Sequence, residues 1–483
     1  MGKLQTIAKD TAIYGLSSII GRFLNYLLVP LYTAQLSVAS GGYGVITNMY
    51  AYVALILVIL TFGMETTYFR FTNKTHTDSQ VVYSTTLISV GAVSALFAAL
   101  VIIFIKPISS MMGYGDHPEW VWVMALTVAI DAFLCIPFAH LRQQKKAIKF
   151  ASLKLLNIVV SILLNLIYFA WMDGKDVSYA FYINLVCTAM LAICLFTEYT
   201  GFRWKMDTKL LRTMLSYSWP ILVLGVAGIL NQTADKMLFP YIYEGDDMLE
   251  QLGIYGACSK IAMIMAMITQ AFRFAYEPIV FSGVKEKGQH EMYEQAMKYF
   301  IIFTLLAFLL VVGYIDILKY IVRNSDYWVG LKVVPIVMAA EIMMGIYFNL
   351  SFWYKIIDKT IWGAWFSGIG CVVLLAVNFI FVPKYGYMAC AWGGFAGYGV
   401  AMIASYIVGQ KYYPLNYPLK EIALYTILAA IAFVVMTLLH EKLSMWLSIA
   451  INTLLILAFL ALIIKRDLPL SKLPIIGKKF KNK

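Results

Sequence analysis

The chain has 483 residues, 61% of them hydrophobic and only 13% charged. Soluble domains carry about 25% charged residues, so the composition excludes a water-soluble protein; apolar runs of spanning length recur along the chain and mark an all-α polytopic membrane protein. The formal net charge of +12 does not indicate a nucleic-acid partner, because the basic residues gather in short loops between the apolar runs.

In chain order the hydropathy pattern predicts about 14 transmembrane helices, over residues 11–36, 43–69, 82–105, 119–140, 150–171, 178–197, 217–241, 251–281, 297–315, 331–353, 360–382, 386–409, 420–439 and 443–464. The first run continues to spanning length, so no cleavable signal peptide is expected. With the N-terminus in the cytoplasm, RQQKKAIK at 142–149 and KKFKNK at the end fall inside, and the acidic EGDDMLE at 244–250 falls outside. Cations on the inner side set membrane orientation, so both termini are expected to be cytoplasmic. Cys135, Cys187, Cys194, Cys258, Cys371 and Cys390 all lie in predicted spans and read as small apolar residues, not as a disulfide or metal framework. No HExxH, CxxC or phosphate loop occurs, and no loop has room for a catalytic domain. No catalytic residue, no metal site and no enzymatic activity are expected.

The chain repeats itself at a shift of about 210 residues. Gly15 meets Gly225, Asn25 meets Asp235, Pro30 meets Pro240 and Asp131 meets Glu341; after small insertions Tyr43-Gly44 meets Tyr255-Gly256, Glu65 meets Glu277, Arg142 meets Lys355 and Asn165 meets Asn378. A repeat of six spans, an even number, gives two parallel-oriented six-helix bundles around a central cleft. The expected domains are residues 1–205, residues 206–412, two extra helices over 413–466, and a basic cytoplasmic tail, 467–483.

Charged residues inside spans single out a site. The stretch ILNQTADKMLFP (229–240) places Asn231, Gln232, Asp235 and Lys236 within one span. Each mid-span charge costs about 2.5–3.5 kcal/mol against lipid, so these groups face water or one another. Of the five span carboxylates, Glu65, Asp131, Glu277 and Glu341 are matched across the repeat. The span cations Arg22, Lys154, Lys236, Lys260 and Arg273 have no charged counterpart, which suits an asymmetric anionic substrate.

The stretches KDTAIYGLSSIIGRFLNYLLVPLYT (9–33) and YGVITNMYAYVALILVILTFGMETTYFRF (43–71) resemble the bacterial polysaccharide transporter family of the multidrug/oligosaccharidyl-lipid/polysaccharide exporter superfamily. The resemblance implies a flippase that moves an undecaprenyl-pyrophosphate-linked oligosaccharide across the bacterial cytoplasmic membrane by alternating access. It implies substrate contacts from Arg22 and Arg273. Lys236 and Lys260, unmatched across the repeat like these two, extend them into a cationic track for the pyrophosphate, and Asn25, Asn231 and Gln232 offer amides to the sugar. The resemblance also implies a Na+ or H+ coupling site at Asp235 and Asn378, to which the carboxylates Glu65 and Glu277 add. No cofactor is expected; the partners are the lipid-linked substrate and membrane lipids, and the protein is expected to be monomeric. Three alternatives stay open: a peptidoglycan lipid II flippase, a multidrug or cation antiporter of the same fold, and a membrane glycosyltransferase or polymerase.

Overall fold

The computed structural model describes residues 26–74, 78–200, 205–282, 289–357, 359–440 and 442–467. Arg22 and Asn25 lie outside the described residues, as does the Glu277 side chain. Every regular element among the described residues is helical. The principal helices are α1 (Leu28–Gln35), α2 (Gly42–Thr61), α3 (Met64–Lys74), α4 (Ser79–Ile103), α5 (Pro118–Gln143), α6 (Ala147–Asn165), α7 (Ser178–Cys194), α8 (Thr208–Ile242), α9 (Met248–Ser282), α10 (Gln289–Gly313), α11 (Val334–Leu350), α12 (Ile361–Tyr385), α13 (Tyr387–Tyr412), α14 (Leu419–His440) and α15 (Met445–Arg466).

Twelve helices among the described residues are long and apolar enough to cross a membrane, α2 and α3 counting as one. Of the remaining expected spans, 178–197 appears as the shorter α7, and 11–36 lies mostly outside the described residues. The lipid-facing side shows as exposed apolar side chains, such as Leu96 at 60% and Ile103 at 70% on α4.

Local chemistry sets several helix limits. Asp207 caps α8 by accepting hydrogen bonds from the Lys209 and Leu210 amides at 2.9 and 3.0 Å, the arrangement an N-terminal turn needs for its orphan donors. Pro118 opens α5, where its missing N–H costs nothing. The span expected over 43–69 is broken after Thr61: Phe62 and Gly63 take φ of 49° and 66°, and the chain re-enters a helix at Met64.

The chain divides into two compact units. The first comprises residues 1–257, 323–329 and 363–397; the second comprises 258–322, 330–362 and 398–483. In the first, α2 packs along α8, and α5 packs against α2, α4 and α7. In the second, α10 packs against α11, α14 and α15.

Some contacts in the first unit are as close as backbone allows. A Cβ added to Gly44 on α2 would lie 1.9 Å from the Leu249 carbonyl oxygen on α9, and one added to Gly256 on α9 would lie 2.1 Å from Thr47 Oγ1 on α2. The Gly-rich run 393–399 packs likewise: a Cβ on Gly397 would lie 2.7 Å from the Gly370 carbonyl oxygen on α12. Small residues four apart let membrane helices meet this closely. Of the six cysteines, Cys187, Cys258, Cys371 and Cys390 are buried, Cys135 is half-buried and Cys194 is exposed, all as free thiols.

Candidate functional site

Proline chemistry builds the site on α8. Pro240 has no N–H to give the Lys236 carbonyl four residues earlier. Asn48 of α2, 1% exposed, donates to that carbonyl through Nδ2 at 2.8 Å. The Asn48 oxygen accepts from the Tyr114 hydroxyl at 2.8 Å. The turn of α8 carrying the charges is thus pinned from outside the helix.

Asp235 is buried on this turn. Tyr255 of α9 donates its hydroxyl to Asp235 Oδ2 at 2.7 Å. Lys236 Nζ lies 3.1 Å from both carboxylate oxygens, donates to the Gln232 carbonyl at 3.1 Å, and sits 5.2 Å from the Tyr255 ring centre. Asn231, also buried, donates to the Ala227 carbonyl at 3.0 Å and to the Ser367 carbonyl of α12 at 2.8 Å. Gln232 is exposed. Neighbouring residues of ILNQTADK therefore divide into a bonded, buried pair, Asn231 and Asp235, and a more open pair, Gln232 and Lys236.

Asn378 of α12 is 1% exposed, and neither its side-chain nitrogen nor its oxygen has a hydrogen-bond partner. A Cβ on Gly393 of α13 would lie 2.6 Å from Asn378 Oδ1, so glycine is what lets the amide sit against α13. Cys390, one helical turn before Gly393, is within electrostatic range of both Asp235 and Lys236. Asn165, the repeat counterpart of Asn378, is bonded at both ends of its amide: it accepts from the Tyr32 hydroxyl at 2.8 Å and donates to the Ser161 carbonyl at 2.8 Å. A buried unpaired amide costs about 1–3 kcal/mol, so Asn378 stands out as a group poised for a ligand, water or ion.

The other expected residues are placed as follows. Glu65, in the first turn of α3, forms an ion pair with Arg142; both side chains are about two-fifths exposed, where such pairs contribute little. Lys154 lies 4.1 Å from the Phe138 ring centre and within electrostatic range of Asp131. In the second unit, Lys260 is half-buried. Arg273 is exposed, 5.0 Å from the Phe348 ring centre, and lines a small cavity, with room for about one water, together with Lys355. Tyr255, Asn48 and Lys355 were not singled out from sequence; the repeat pairs Tyr43/Tyr255 and Arg142/Lys355 carried the available signal for two of them. Among the described residues no cluster of three or more His, Cys, Asp or Glu could hold a metal ion.

A family model described as "Polysaccharide biosynthesis protein" matches residues 38–323, more than half of the chain. The chain belongs to the polysaccharide biosynthesis protein family. This polysaccharide biosynthesis protein is 21% identical over 342 residues to protein 1 of the Lsg locus of Haemophilus influenzae, covering 68% of its own length and 79% of that protein. Its fold matches a solved structure titled as the lipid II flippase MurJ in an inward closed conformation, with a TM-score of 0.73 at 15% identity, over 93% of this chain and 98% of the other. It also matches an inward-facing multidrug resistance MATE family transporter of the MOP superfamily, with a TM-score of 0.66 at 13% identity, over 81% and 94% of the two chains. This polysaccharide biosynthesis protein is thus a multi-pass membrane protein with the fold of that superfamily.

Proposed function

We propose that the protein is a flippase for an undecaprenyl-pyrophosphate-linked oligosaccharide, moving it across the bacterial cytoplasmic membrane by alternating access. The observation that carries this reading is the pairing of polysaccharide biosynthesis family membership with a fold shared across 93% of the chain with a lipid flippase. The MATE transporter covers a smaller share, and the difference is of the size of α14 and α15 together. Arg22, Lys236, Lys260 and Arg273 supply cations for the pyrophosphate, since Arg binds phosphate through two donors and Lys as a point charge. Asn25, Asn231 and Gln232 supply amides for sugar hydroxyls.

Asp235 with Asn378 forms the coupling site for Na+ or H+ in this reading. The Asp235 carboxylate and the Asn378 amide, buried and itself without a hydrogen-bond partner, offer oxygens to a small cation, and an ionisable group inside a span is functional by default. Binding there biases the equilibrium between transport states only through its difference in affinity for them.

Deleting the gene and measuring accumulated lipid-linked intermediates by mass spectrometry tests the reading. The expected result is accumulation of a complete lipid-linked oligosaccharide on the cytoplasmic side. Accumulation of lipid II would point to the peptidoglycan alternative, and drug sensitivity without either would point to the antiporter alternative.

A further inference from the structure

Asp235 and Lys236 are adjacent in sequence, and adjacent residues on a helix point about 100° apart. Their ion pair is therefore not a gift of helix geometry. The Lys236 stem bends back along α8, which brings Nζ 3.1 Å from Asp235 Oδ1, 3.1 Å from Oδ2 and 3.1 Å from the Gln232 carbonyl. Hard metal cations take oxygen ligands. Here an ammonium stands at the centre of such a set.

The two partners differ in freedom. The Asp235 side chain is 6% exposed, and the Tyr255 hydroxyl fixes its Oδ2 at 2.7 Å. The Lys236 side chain is 23% exposed, and a lysine stem is flexible enough to carry its charge to more than one place. The mobile member of the pair is the cation.

Further oxygen chemistry lies on the same stretch of α13. Cys390 is within electrostatic range of both Asp235 and Lys236. Gly393, one turn further on, lies against Asn378 Oδ1, an oxygen with no hydrogen-bond partner. The repeat adds a second argument. Asn25-Tyr26 stand where Asp235-Lys236 do, so the carboxylate and the ammonium both belong to one copy of the repeat and are absent together from the other.

We propose that Lys236 is a tethered cation that holds the Na+ seat at Asp235 until the anionic substrate draws it away. While Nζ stays on Asp235, Na+ at the carboxylate meets a like charge. When a phosphoryl oxygen takes over Nζ, Asp235 is left buried without a counter-charge, which is costly and which Na+ binding relieves. Anion and cation then strengthen each other's binding by the same factor. Order follows from this: the substrate-free protein excludes Na+, so the ion gradient does not run down through it unproductively. The inference rests on the flippase reading for the identity of the anion, and on the Asp235–Lys236 geometry for the exchange.

The test is Na+ binding to the purified full chain in detergent. It is read by equilibrium dialysis with radioactive Na+ and by melting temperature, with choline chloride holding the ionic strength constant. The anion probe is a short-chain prenyl pyrophosphate. Wild-type protein should bind Na+ weakly alone and about tenfold or more tightly with the probe present. Lys236→Met should bind Na+ about tenfold more tightly than wild type without the probe, and the probe should no longer change that affinity. Its melting temperature should climb with Na+ concentration more steeply than that of wild type, a readout that survives if the variant is unstable without the ion. Lys236→Arg keeps the charge and should bind Na+ no better than wild type. Asp235→Asn should abolish Na+ binding in the wild-type and Lys236→Met backgrounds alike. Equal Na+ affinity of wild type and Lys236→Met overturns the tethered cation. A tighter Lys236→Met beside a wild type indifferent to the probe overturns the exchange. Because no transport is measured, accumulation of lipid II in the deletion strain would sink the oligosaccharide reading alone, and an unresponsive Lys236→Met would sink this inference alone.

Discussion

Asn48 replaces the backbone donor that Pro240 withholds from the Lys236 carbonyl, at 2.8 Å. A side chain on α2 thus completes the hydrogen bonding of α8 at the turn where Asp235 stands. Asn48→Ala should lower stability by about 1–3 kcal/mol, because the Lys236 carbonyl and the Tyr114 hydroxyl lose their partner together. Pro240→Ala restores the helical N–H, so it should recover part of that loss in the Asn48→Ala background. A double-mutant cycle on melting temperature in detergent checks this; identical effects of Pro240→Ala in both backgrounds would disprove the link.

Asp235→Asn keeps the size of the side chain and an oxygen for the Tyr255 hydroxyl, so the protein should fold and insert. Transport in reconstituted vesicles should lose its dependence on an imposed Na+ or H+ gradient. Gradient-dependent transport by this variant at normal rate would remove Asp235 from the coupling site.

Close helix contact predicts a graded glycine series. Gly44→Ala pushes a methyl group into the Leu249 backbone and should cost about 1–3 kcal/mol or block folding. Gly228, with nothing within 4 Å of an added Cβ, should accept Ala with no loss. Melting temperature and membrane yield of the two variants are the readout; equal behaviour would contradict the packing.

Lys298 on α10 pairs with Asp467 and Glu421, and Tyr425 donates to Asp467. Burial alone would raise the Asp467 carboxyl; hydrogen bonds from Lys298 and Tyr425, with the charges of Lys298 and Arg466, outweigh it and hold it below the usual carboxylate range. A lowered carboxylate contributes stability that is present above its ordinary range and is lost as pH falls through its folded value. Melting temperature should therefore fall on acidification, and Asp467→Asn should flatten that fall. Lys298→Met leaves buried Asp467 without its hydrogen-bonded cation and should cost on the order of 3 kcal/mol at neutral pH.

Orientation is tested at Asp246, an exposed residue in the acidic loop. With both termini cytoplasmic, Asp246→Cys in an otherwise cysteine-free protein should react with an impermeant maleimide in intact cells lacking an outer-membrane barrier. Labelling only after lysis would reverse the topology.

Hydropathy alone located most of the spanning helices, because twenty apolar residues in a row leave few other structures. It could not show the break at Phe62 and Gly63, since only the second of these residues is a conventional turn former. Asp235 and Asn378 were legible as polar residues in oily surroundings. The difference between Asn378 and Asn165 was not, because it depends on a tyrosine more than a hundred residues away, Tyr32, that reaches Asn165. Lys355 was legible only as the repeat partner of Arg142; the cavity it shares with Arg273 is a product of packing between α9, α10 and α11.

The unpartnered amide of Asn378 sets stability and activity against each other at one position. Leucine has nearly the same shape and no polar atoms to leave unbonded, so a library selected only for heat resistance should drift to Leu at 378. A library selected for export should return to Asn, and the two enrichment profiles should diverge at this residue while agreeing at Asn165. Directed evolution of the protein as a robust membrane scaffold would then erase the proposed coupling site first.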